Sequence, residues 1–295
     1  MKKELPMTRV ELSNKTWSLS LIPEWGGRVA LMQADGVDIM TPLVADSFDP
    51  LAWPRGGIYP LMPYSNRVRE ANLMHEGKSY ALPPHPAALP HTLHGVAQTL
   101  QWTVAAQSAD SVILVCLYEG EHWPWPVRFE QRFALDGNTL SVRLAVTNLG
   151  ETSMPAGLGL HPYFHRHPGM RVELNVGRSW QIDDEYLPTG TSEAVSAPVI
   201  IDDALQQELA LYGSQWDGEL KIAYRQGHLL MKADEPLTHF VAFAPVDAPY
   251  LCLEPVSHLA DAFNSPTHEW ADRGTNVVQP GQTLEANLQF TWSPR

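Results

Sequence analysis

Cysteine is scarce in this 295-residue chain: there are two, Cys116 in "ILVCLY" and Cys252 in "YLCLE". Both lie in apolar, strand-like runs, so buried free thiols are expected in place of a disulfide or a nucleophile. Basic residues are outnumbered, 20 against 33 acidic, for a net charge of −13, and no basic run occurs anywhere. Nucleic acid and anionic membrane surfaces bind through clustered Lys and Arg, so both are excluded as expected partners. No stretch approaches the ~18 uninterrupted apolar residues of a membrane span. The opening "MKKELPMTRVELSNKTW" has lysines with no apolar segment behind them, so no secretory leader is expected. These absences point to a soluble, reduced, cytoplasmic protein. Helical patterns are nearly missing too. The best is "DDALQQELAL" at 202–211, with Asp at the N-cap.

Alternation with period two is what the chain does have. "TLSVRLAV" sets Leu140, Val142, Leu144 and Val146 against Ser141, Arg143 and Ala145. "VRFEQRFAL" sets Val127, Phe129, Phe133 and Leu135 against Arg128, Glu130 and Arg132, and "DGN" at 136–138 between the two runs predicts a hairpin. "PGQTLEANLQFTW", "TWSLSLIP", "GGRVALMQ" and "DSVILVCLYEG" read as further strands. Hydrophobic residues make up 44% of the chain, enough for a sizeable core, and no linker, repeat or composition shift divides it. The expectation is one all-β domain over 1–295, a large antiparallel β-sandwich.

Three segments carry loop residues and functional side chains together: 53–70, 83–98 and 251–264. Loops on a rigid β scaffold are where binding groups concentrate. No GxSxG, P-loop or dinucleotide fingerprint occurs. His161, His165 and His167 do not have zinc-helix spacing, and His85, His91 and His94 share a proline-rich loop, so no metal site is expected. His161 in "GLGLHPYFHR" precedes Pro162, which extends its backbone and predicts that the strand ends or bulges there. Glu254 in "LCLEPVS" follows an apolar run and also precedes a proline. A carboxylate seldom occupies such a run unless paired or functional. Two ionisable groups in matching settings suggest a general acid and a general base. Arg67 in "SNRVRE" is offered from a turn-rich loop, and His94 is followed by a glycine that permits a tight turn. Among the ten tryptophans, Trp53, Trp102 and Trp123 are candidates to stack on a sugar face.

In order along nearly the whole chain, "PEWGGRVALMQADGVDIM", "YPLMPYSNRVRE", "LHGVAQTLQW", "GLGLHPYF" and "LEPVSHLADAFN" resemble the aldose 1-epimerase (galactose mutarotase) superfamily. That resemblance implies a large β-sandwich isomerase that interconverts the α and β anomers of a free sugar without a cofactor. It implies His161 as general acid, Glu254 as general base, and Arg67 and His94 as ligands of sugar oxygens. It also implies a substrate-binding aspartate, for which Asp202 is favoured over Asp203 and Asp217. Opening a pyranose needs a proton delivered to the ring oxygen and one removed from the anomeric hydroxyl. Ordinary pKa values, ~6.5 for His and ~4.3 for Glu, would leave both groups near their useful states, and an ion pair would favour both charges.

"WPRGGIYPL" is similar instead to the related hexose-6-phosphate epimerases. Arg55, with Arg67 and Arg69, could hold a phosphate, sulfonate or carboxylate. Three readings follow: a mutarotase of neutral hexoses, an epimerase of an anionic sugar, and a non-catalytic carbohydrate-binding protein. The expected partner is a small sugar, with the chain a monomer or a homodimer.

Overall fold

The computed structural model describes residues 8–45 and 47–295, so residues 1–7 of the opening segment read for a leader lie outside it. Alternating residues form antiparallel strands as expected. Ser111–Gly120, Trp123–Asp136, Thr139–Asn148, Thr283–Pro294 and Gly227–Ala233 pair in that order. The predicted hairpin closes with Asp136 opposite Thr139, and Gly137 supplies the positive φ that the two-residue turn requires. Val127, Phe129 and Phe133 are buried, facing inward with Leu288, Phe290 and Trp292 of the last strand. Each such phenylalanine contributes about 2 kcal/mol by leaving water. Cys116 and Cys252 are both buried free thiols.

Leu209–Ala223 forks the sheet. Its C-terminal half pairs with Gly227–Ala233 and its N-terminal half with His239–Ala244. The latter pairs with Tyr250–Val256, which pairs with Leu160–His165. That strand then joins Ile58–Pro60, which leads to Arg28–Ala34 and Trp17–Ile22. The helix expected at 202–211 does not form. Asp202 caps only a turn, accepting from the Ala204 N–H at 2.9 Å, and Leu209 already pairs with Ala244. Sheet pairing overrides a cap that has no apolar helical face behind it. Among the described residues, no helix is long and apolar enough to cross a membrane.

His161 neither ends nor bulges its strand. Leu160, His161 and Pro162 pair with Pro60, Tyr59 and Ile58, whereas Tyr163, Phe164 and His165 pair with Cys252, Leu251 and Tyr250. The strand changes partner at Pro162, the residue with no N–H to donate. His161 therefore sits at the junction of the two halves.

Buried histidines brace the loops around it. His258 accepts from the Ser65 N–H at 3.1 Å through Nε2 and donates from Nδ1 to the Leu259 carbonyl at 2.7 Å. Burial lowers the pKa of His258 to about 4, and that of His239 to about 4 as well. Their neutral forms add stability that is fully present above the unfolded value of 6.5 and is lost as pH falls through about 4. Each costs about 3 kcal/mol by pH 4, a large part of a typical domain's stability. The expected result is a Tm that falls steeply from pH 6.5 to 4 and a shallower fall in His239→Gln; equal slopes in the two proteins would contradict it.

Candidate active site

Strand alternation at this junction builds a cavity of about 280 Å³. Tyr250, Cys252 and Glu254, two residues apart on one strand, all face it. His161 and Tyr163 face it from the neighbouring strand, and Val241 and Phe243 stand opposite Glu254 and Cys252 on the other side. The four steps along the strand from Glu254 to Tyr250 span about 13 Å, so the cavity floor has two distinct ends.

At one end, His161 Nε2 lies 3.3 Å from Glu254 Oε1, with both side chains almost fully buried. His161 Nδ1 and Glu254 Oε2 have no hydrogen-bond partner among the described residues. Buried polar atoms are rarely left so, and these are available to a ligand. Burial pushes the Glu254 carboxyl up to about 8, opposed by the Arg67 charge. Burial holds His161 down to about 3, and the Arg28 charge pushes the same way. Desolvation thus opposes the ion pair expected between them and favours the neutral forms. Both directions favour holding the pair's proton on the carboxyl.

Tyr59 and Tyr163 fix the His161 ring, stacking on it at centroid distances of 4.6 Å and 4.7 Å. His94 meets it edge-on at 5.1 Å. The turn that delivers His94 has φ of +62° at His94 and +65° at Gly95. A Cβ at position 95 would stand 2.2 Å from the Met62 carbonyl oxygen, so only glycine fits. Burial, then the neighbouring His161 and Arg67, hold the His94 pKa well down. Its Nδ1 accepts from the Asn66 N–H at 3.1 Å, so the proton of the neutral ring is on Nε2.

That tautomer bears on metal binding. His94, His161 and Glu254 each bring one donor atom within 4.8 Å of the others. One His94 nitrogen is engaged by the backbone and the other is protonated, leaving no lone pair for an ion. The trio suits a cluster of hydroxyl groups better than a metal.

Arg67 reaches the cavity beside Asn66, to whose Oδ1 it donates at 3.4 Å. Its guanidinium lies 5.0 Å from the centre of the Tyr186 ring. At the far end of the floor, exposed Arg55 lies beside the Tyr250 hydroxyl. Trp53 also lines the cavity, but Trp102 and Trp123 are buried in the core and do not. Arg69 turns away to Asp261 at 3.5 Å.

No aspartate among the described residues lines the cavity. Asp202 faces Arg171 at 3.5 Å, Asp203 accepts from the Gly169 N–H, and Asp217 accepts from Asn175. The substrate contact expected of Asp202 is corrected accordingly. Asn66 and Tyr212 stand on the cavity wall instead, the Tyr212 hydroxyl 3.4 Å from Asn66 Oδ1. Tyr163 was legible from its place two residues beyond His161 on the same face, and Asn66 from its place before Arg67. Tyr186 and Tyr212 had no such signal.

Fold and comparison agree on the class, a galactose-mutarotase-like β-sandwich. A galactose mutarotase-like protein from Clostridium acetobutylicum superposes with a TM-score of 0.86 at 18% identity, over 98% of this chain and 96% of that one. A GalM/aldose epimerase homologue from C. elegans gives 0.81 at 17% identity, over 98% and 99%. The chain belongs to the aldose 1-epimerase family, whose model matches residues 8–291. It is also 29% identical to the uncharacterized Escherichia coli K12 protein YphB over 248 residues, 79% of this chain and 83% of that protein.

Proposed function

We propose that the protein is a mutarotase that opens and recloses a hexose ring with His161 and Glu254 as its acid–base pair. The observation that carries this reading is the buried contact of 3.3 Å between the two groups on the cavity floor. The pair holds one proton, and the reaction needs one delivered and one removed. Passing the shared proton from Glu254 to His161 creates an imidazolium and a carboxylate, and the charge of Arg67 favours that carboxylate. His161 then protonates the ring oxygen while Glu254 takes the anomeric proton. Rotation about C1–C2 and reclosure with the roles exchanged gives the other anomer. His94 Nε2–H and Arg67 act as donors to sugar oxygens, and Trp53 offers an apolar face. Anomer exchange followed by NMR on glucose, galactose and a deoxy sugar tests the reading. Exchange above the buffer rate supports it; sugar binding without acceleration would leave a carbohydrate-binding protein.

Exposed Arg55 at the Tyr250 end of the floor favours a second reading, a hexose carrying an anionic group away from C1. In it, Arg55 holds the phosphate or sulfonate in a charge-assisted contact. The expected result is that Arg55→Ala raises KM about tenfold for glucose 6-phosphate or a sulfonated hexose and leaves glucose unchanged. Equal effects on charged and neutral sugars would remove this reading.

A further inference from the structure

Arg28, the first residue of the Arg28–Ala34 strand, is fully buried one layer behind the cavity. Its guanidinium carbon lies 4.3 Å from the centre of the Tyr59 ring and 5.3 Å from that of Phe48. Nη1 donates to the carbonyls of Pro54 at 3.4 Å and Gly56 at 3.2 Å, the two neighbours of Arg55. Nε has no partner among the described residues, and no carboxylate among them lies within ion-pair distance. Burying a cation without a counter-charge costs several kcal/mol, which an apolar residue of similar size would avoid. Tyr59 is the ring stacked on His161 at 4.6 Å, so the order is guanidinium, phenol, imidazole.

We propose that Arg28 is a positioning residue for the acid–base step, acting through Tyr59 to keep the resting proton of the pair on Glu254. A proton moved onto His161 during the reaction then meets an unfavourable field and is passed on to the sugar. The same guanidinium holds the segment that brings Trp53 and Arg55 to the cavity. This rests on the pair being the acid–base pair proposed above.

The other groups facing His161 do not supply this field. Tyr59 and Tyr163 are neutral phenols whose pKa values burial raises. His94, from the loop after Leu93, is held neutral. Glu254 is the partner itself, and the charge of Arg67 acts on Glu254 and His94. Arg28 is the charge that bears on His161. It lies no more than about 9 Å away, where a unit charge at an effective dielectric constant of about 20 is worth roughly one pH unit.

The test is ¹⁵N NMR of histidine-labelled protein beside the pH profile of anomer exchange. It compares wild type, Arg28→Gln, which removes the charge and keeps a polar amide, and Arg28→Lys, which restores the charge. In the wild type at pH 7, His161 is expected to give the shifts of a neutral ring. Arg28→Gln leaves the ring neutral at pH 7 but raises the pH at which it becomes imidazolium, about 3 in the wild type, by up to about one pH unit; Arg28→Lys reverses this. A His161 titration that does not move in folded Arg28→Gln would overturn the proposal. So would an imidazolium at position 161 of the wild type at pH 7, an outcome that needs no variant to fold. A titration that moves while the wild type catalyses no exchange would uphold the effect of Arg28 on the pair and sink the mutarotase reading instead.

Discussion

Glu254→Gln is expected to slow anomer exchange by ~10²–10⁴-fold, the range for loss of one positioned acid–base group. Glutamine preserves shape and can still hydrogen-bond His161, so the fold and sugar binding persist while proton transfer is lost. The change also stabilises the protein. In the wild type, the protonated carboxyl contributes stability that is fully present below the unfolded value of 4.5 and lost as pH rises through about 8. Glutamine never ionises, so its advantage in Tm grows across that window and stays constant above it. A variant that is more stable and nearly inactive is the signature of a residue kept for chemistry. The wild-type rate should fall above pH 8, where the pair loses its only proton. Activity retained in Glu254→Gln, or a Tm difference that does not change with pH, would contradict the assignment.

His161→Ala should cost a comparable ~10²–10⁴-fold, and the double variant with Glu254→Gln should be about as slow as either single one. In the proposed reaction the two groups relay one proton, so removing either disables both. Losing the imidazole also leaves the faces of Tyr59 and Tyr163 without their shared partner. A stability measurement must therefore accompany the kinetics. Added imidazole separates the roles, because it can restore proton transfer in His161→Ala but cannot repair a displaced loop. Partial recovery is expected; multiplicative losses in the double variant with no rescue would mean that the residues act independently.

Much of this architecture was legible in the chain itself, because alternation is a local property. Val127, Phe129, Leu288 and Phe290 announce their buried face through their neighbours alone, and "DGN" announces its turn. His161 and Glu254 stood out because each is an ionisable residue in an apolar run directly before a proline. Asp202 misled for the same reason: its cap is local, but whether Leu209 continues a helix or joins a strand depends on His239–Ala244, some thirty residues away in sequence. The sequence by itself determined the sandwich, its strands and the two residues of the pair. Only the tertiary structure decided that those residues meet, that burial favours the neutral forms of the pair, and that Asn66 and Tyr212 occupy a wall where an aspartate was expected. It also placed Arg28 behind Tyr59. Desolvation and distance are properties of the assembled interior, and they arise only when segments remote in sequence exclude water together.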